Sequence, residues 1–99
     1  PVPLGLDVVK SSLGMDVAVA VKDALLKSLK YAREHVEEAM RYASEFARGL
    51  GMEDVSKFVD MYVNDYTMDM GQGGERALRE LLRMASEAGI VPESSIVVI

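Results

Sequence analysis

Apolar positions return at helical spacing through most of this chain. Between Met15 and Arg33, the residues Val17, Val21, Leu25, Leu29 and Ala32 recur every three or four positions, as on a helix with one face turned to a core. Asp16 near the start of that run, and Lys27, Lys30 and Arg33 towards its end, complement the helix dipole. Gly14 and the Ser11-Ser12 pair punctuate the chain before it. A second periodic run carries Val36, Ala39, Met40, Ala43, Phe46, Ala47 and Leu50 on one face, and Gly49 and Gly51 end it. A third helix is expected from Glu53 or Asp54 through Val55, Phe58, Val59, Tyr62 and Val63. The stretch Thr67-Met68-Asp69-Met70-Gly71 reads as a turn. A fourth helix follows, with Leu78, Leu81, Leu82 and Ala85 as its stripe, Gly89 as its stop and Pro92 blocking any continuation.

Two apolar ends frame these helices. Ile96-Val97-Val98-Ile99 is β-branched and short, so it reads as a terminal strand or a strap, and Val2 to Val9 reads as the other strand. The expected fold is therefore mainly α: about four amphipathic helices with short terminal β-strands. It divides into a strand or hinge segment (1–10), a helical region (15–89) and a terminal strand or strap (94–99), all within one domain or fragment. A start at Pro1 without methionine suggests a processed, trimmed or excised product.

Composition narrows the function classes. The chain has 99 residues, of which 49% are hydrophobic, enough for one core and no more than one domain. A formal charge of -5 and a pI near 4.8 argue against nucleic acid and against anionic membranes. No apolar run approaches the ~20 residues of a membrane span. With no cysteine there is no disulfide, thiolate metal site or cysteine nucleophile. The expectation is a soluble, cytoplasmic protein without cofactor or metal.

The candidate chemistry is thin. His35 is the lone histidine and the natural general base, but its surroundings, Arg33-Glu34-His35-Val36-Glu37-Glu38, read as an exposed helix junction. Asp65 and Asp69 flank a turn with Glu75 nearby, yet their spacing is not that of a calcium loop, and turn formation and capping explain them better. Gly71-Gln72-Gly73-Gly74 precedes a helix without the lysine and hydroxyl pair of a phosphate loop, so it reads as a tight turn. Phe58, Tyr62, Tyr66 and the seven methionines read as core rather than as an aromatic ligand box. Glu34, Glu37 and Glu38 beside Arg33 and Arg41 form a solvated face. No residue is assigned a catalytic role.

One string is more specific than composition. The order Tyr62-Val63-Asn64-Asp65-Tyr66-Thr67-Met68-Asp69-Met70-Gly71-Gln72-Gly73-Gly74-Glu75-Arg76-Ala77, together with Pro1-Val2-Pro3-Leu4-Gly5, resembles the C-terminal region of the 1,4-dihydroxy-6-naphthoate synthase family of menaquinone biosynthesis by the futalosine route. The resemblance implies a two-lobed, periplasmic-binding-protein-like fold and a carbon-carbon lyase that turns cyclic dehypoxanthine futalosine into 1,4-dihydroxy-6-naphthoate without a metal. It implies that the family's base lies upstream of this segment, so His35 is not that base. It also implies that only Pro3, Leu4 and Gly5 come near substrate. Tyr62, Asn64, Asp65, Tyr66, Asp69 and Gly71 match the family string in structural roles. Members of that family usually carry proline where this chain has Val36, so the first two helices here either fuse or kink around Glu34-His35.

Three readings of function follow. The chain is scaffold within such a lyase, binding the small-molecule substrate only as part of the complete fold; or a helical binding and assembly module derived from that segment; or an unrelated small enzyme. Its partners are then the remainder of the enzyme, or a second copy joined through the terminal strands.

Overall fold

The structure is a computed structural model that describes residues 5–99, and these form two compact units. The first, Val8–Asn64, holds a single 3-10 turn at Ser11–Leu13 and three helices: α1 (Met15–Glu34), α2 (Val36–Ser44) and α3 (Met52–Tyr62). Within it α2 packs against both α1 and α3. The second unit comprises residues 65–99 with residues 5–7. It holds the one-turn helix α4 (Asp65–Met68), the long α5 (Gly71–Glu87) and an irregular tail.

Helix boundaries follow local chemistry. Gly14, at φ 88, supplies the left-handed backbone that turns the chain into α1. At the other end of α1, His35 leaves the helical region, with φ -130 and ψ 56, and α2 begins at Val36. The helices therefore break at His35 even with valine in the following position. Ser44 stops α2 early: its hydroxyl donates to the Arg41 carbonyl at 2.7 Å, and the Glu45 amide turns to Tyr42 O at 3.2 Å. Phe46, Ala47 and Leu50 each donate their amides three residues back, so these residues form a chain of tight turns and not the last turns of a helix, contrary to the periodicity. The end of α5 is a Schellman motif. Gly89 at φ 72 donates to Ser86 O at 3.0 Å, and Ile90 donates to Ala85 O at 2.9 Å.

The terminal strands expected from the sequence are not there. No strand occurs among the described residues, so the fold is helical with irregular ends. A strand needs a backbone ladder, and the carbonyl of Ile96 accepts its hydrogen bond at 3.5 Å from the guanidinium of Arg79. The tail keeps only the alternation of an extended segment: Ile96 and Val98 are half-buried, while Val97 and Ile99 are exposed. Of the N-terminal segment, residues 5–10 have no regular structure.

Burial is sparse and shifts the expected faces. Among the described residues only Val55 on α3 and Leu78 on α5 are buried, each the centre of its own unit. On α5 the inner face runs through Gly74, Leu78, Leu82 and Ala85, and Leu81 stands 45% exposed. On α1 the half-buried face is Ala18, Leu26, Leu29 and Ala32 with the stem of Lys22, while Val17, Val21 and Leu25 are exposed. The difference between the two α5 leucines is measurable. Leu78→Ala should lower stability by about 2 kcal/mol or more through cavity formation. Leu81→Ala should stay within about 1 kcal/mol. Equal shifts of the urea midpoint would show that the inner face is misplaced.

Candidate functional site

The chemistry-bearing side chains fall into three places: the helix break at His35, the stretch around the α4–α5 junction, and a trough beside α5. At the break, the His35 amide reaches the Tyr31 carbonyl at 2.9 Å and that of Ala32 at 3.3 Å. The imidazole stacks on the Tyr31 ring, with centroids 4.0 Å apart and planes at 15°. Its Nδ1–H donates to the Tyr31 carbonyl at 2.9 Å, so the proton sits on Nδ1. The side chain caps the end of α1 from an exposed position. Across the same break, the Tyr31 hydroxyl donates to Glu38 Oε2 at 2.9 Å. That carboxylate raises the phenol above its ordinary value, first by the hydrogen bond and then by its charge. Sequence reading identified the junction but missed this bridge, because the seven-residue separation spans a change of helix direction.

In the first unit, Asn64 ends α3 by donating its side-chain amide to the Met61 carbonyl at 3.1 Å, close behind the tilted Phe58–Tyr62 ring pair at 4.6 Å. In the second unit, Asp65 opens α4, and its carbonyl accepts from the Asp69 amide at 3.0 Å. Asp69 Oδ1 then accepts from the Gly71 amide at 2.8 Å, an Asx turn that satisfies one of the unpaired donors at the start of α5. Gly71 has φ 62. The glycine string is thus not a loop before the helix, as the sequence suggested, but the first turn of α5 itself. Within it the glycines differ. A Cβ on Gly74 would lie 2.7 Å from the Cβ of Met70 and 3.8 Å from the Tyr66 ring, whereas one on Gly73 would meet nothing within 4 Å. Tyr66, Met70 and Gly74 therefore stack at four-residue intervals, and the glycine is where the Met70 side chain lies down.

Beside α5 a trough of about 410 Å³ runs between the helix and the tail, walled by Arg79, Leu82, Arg83, Glu87, Glu93 and Ile96. Its two guanidinium groups are committed. Arg79 holds Glu75 through Nε at 3.0 Å and Nη2 at 2.7 Å, and Arg83 holds Glu80 and Glu87 at 2.5 Å each. The Arg83 hydrogen bond keeps the Glu80 carboxyl below the usual carboxylate range. These exposed pairs brace the helix weakly and leave no uncompensated cation aimed into the trough.

Of the residues that the family resemblance put near substrate, Pro3 and Leu4 lie outside the described residues. Gly5 is exposed on irregular backbone with no atom near its missing Cβ. Tyr62, Asn64, Asp65, Tyr66, Asp69 and Gly71 lie at helix ends and starts. The described residues contain no group of three or more His, Asp or Glu side chains placed to hold a metal ion. None of their helices is long and apolar enough to cross a membrane.

Two outcomes follow from these contacts. Gly74→Ala should lower stability by about 1–3 kcal/mol, because overpacking against a side-chain Cβ exceeds the ~1 kcal/mol gain in helix propensity. Gly73→Ala, at the adjacent position where an added Cβ meets nothing within 4 Å, should show that gain and raise the urea midpoint. The Tyr31 phenol, neutral and bonded to Glu38, contributes stability at neutral pH that is lost as pH climbs through its raised titration. Ultraviolet titration of wild type against Tyr31→Phe should therefore show one phenol ionising late, and Glu38→Gln should bring it back towards the ordinary value.

Relatives place the chain. The family described as "Menaquinone biosynthesis" matches residues 1–87. A 1,4-dihydroxy-6-naphtoate synthase from Thermus thermophilus is 35% identical over 94 residues, covering 95% of this chain and 35% of the relative. One from Streptomyces coelicolor is 33% identical over 92 residues, covering 93% of this chain and 33% of the relative. This chain thus spans about a third of the length of the curated relatives it matches. No solved structure matches it. With a family match across most of its length and two synthases alike over nearly all of it, the chain belongs to the menaquinone-biosynthesis family of the 1,4-dihydroxy-6-naphthoate synthases.

Proposed function

We propose that this chain is the C-terminal portion of a cytoplasmic lyase of the 1,4-dihydroxy-6-naphthoate synthase type, where it supplies scaffold and not reacting groups. The complete enzyme would take cyclic dehypoxanthine futalosine to 1,4-dihydroxy-6-naphthoate. The observation that carries this reading is the asymmetry of coverage: nearly all of this chain corresponds to only a third of each synthase.

The side chains support the scaffold role. Fragmentation of a carbon skeleton needs a positioned base within reach of the proton it removes. His35 spends its Nδ1 proton on closing α1 and its ring face on Tyr31. Asp69 spends a carboxylate oxygen on the start of α5. The arginines beside α5 are bound to carboxylates of the same helix. Every one of these groups is used to fix where a helix starts, stops or stays straight. Positioning of this kind is a large part of catalysis when another segment carries the reacting groups.

The test is direct. The purified 99-residue chain should release no dihydroxynaphthoate from cyclic dehypoxanthine futalosine above the buffer rate. Turnover that persists through repeated purification would overturn the scaffold reading, and its loss on His35→Ala would make this histidine the base.

A further inference from the structure

The first helix carries more apolar surface than its own unit covers. At about 100° per residue, the half-buried positions Ala18, Leu26, Leu29 and Ala32 fill one side of α1. Beside them runs a second sector of about 140° that holds Val17, Ala20, Val21, Ala24, Leu25, Ser28 and Tyr31, all exposed, and meets the half-buried side at Ala32. No charged side chain of α1 projects from that sector. Asp16, Asp23, Lys27, Lys30 and Glu34 occupy the flank beyond its Ala20 edge, and Lys22 and Arg33 lie on or beside the half-buried face. Val17, Val21 and Leu25 stand 42%, 39% and 43% exposed in an unbroken i, i+4 ridge.

A helix bounded by water on such a sector ordinarily places charge there. One that is apolar around more than half its circumference ordinarily packs on two sides. The small residues Ala20, Ala24 and Ser28 beside the ridge form the shallow groove into which a second element's side chains fit. What covers the sector is indicated by length. The matched synthases carry roughly twice as much chain again outside the region that corresponds to this one.

We propose that the Val17-Val21-Leu25 ridge of α1 is the seat on which the remaining two thirds of the synthase polypeptide pack. This rests on the reading of the chain as a portion of that enzyme, and names the surface through which it would be joined. The occupant is an apolar surface of the same polypeptide, fitted to a ridge of two valines and a leucine.

A hybrid enzyme tests it. The segment of the Thermus thermophilus synthase that matches this chain is replaced by these 99 residues, and thermal unfolding and turnover are both followed. Val17→Gln, Val21→Gln and Leu25→Gln together should lower the hybrid's midpoint by about 10 °C or more, since three polar groups would be buried without partners. In the isolated chain the same substitutions should shift the midpoint far less, because these side chains are already partly exposed there. Asp23→Gln, Lys27→Gln and Lys30→Gln, on the charged side, should leave the hybrid unchanged. A hybrid indifferent to the ridge substitutions, or one that does not fold with the native ridge, overturns the proposal. So does an isolated chain that sediments as a dimer and becomes monomeric with the glutamines, which would make the ridge a self-interface. A hybrid that folds and loses its midpoint with the glutamines, yet never turns over substrate, counts against the enzymatic reading alone.

Discussion

Ordering a chain costs on the order of 1–2 kcal/mol per residue in backbone entropy, and burial of apolar surface is the main term that offsets it. Here, among the described residues, only Val55 and Leu78, one for each unit, are buried, and the other apolar side chains are half-buried or exposed. Everything else in the structure is arranged around this scarcity. The helices are held at their ends by local hydrogen bonds: Asp69 to Gly71, Asn64 to Met61, Ser44 to Arg41, and the paired bonds at Gly89 and Ile90. Such bonds contribute roughly 1 kcal/mol each and define direction and length well. They do not replace a core. The apolar residues that would build one are present in the sequence and are largely exposed.

Helix existence was legible in the sequence, and so were most helix ends. Gly14, Gly89 and the acidic start of α3 marked boundaries through backbone freedom and dipole charge, which act locally. The choice of face was less legible. Leu78 and Leu81 both belong to an apolar stripe, and only the packing partner decides which turns inward. The same holds for Val17, Val21 and Leu25 against Ala18, Leu26 and Leu29: the sequence shows a broad apolar sector on α1, and only tertiary contact divides it. The terminal strands failed for a related reason. β-branched composition favours extended backbone, but a strand exists only with a neighbour to pair with.

At His35 and at Asp69 the sequence shows no orienting partner or ligand spacing, and both side chains make local hydrogen bonds at helix ends. Two features escaped. The one-turn helix at Asp65–Met68 lies inside what looked like a turn, and the glycine string proved helical because Gly74 accommodates the Met70 side chain while Gly71 starts the helix at φ 62. Glycine content alone signals flexibility. Which atom sits above a missing Cβ is a three-dimensional fact.

The break between α1 and α2 has a consequence for how this family can change. A proline after the break would disfavour a continuous helix by about 3 kcal/mol, through a covalent ring. In this chain the same bend is kept by an aromatic stack and a carbonyl contact at His35, both of them non-covalent. Without them, residues 15–44 have the composition to run on as one rod about 45 Å long. The direction of α2 relative to α1 therefore hangs on contacts that one nucleotide change can erase.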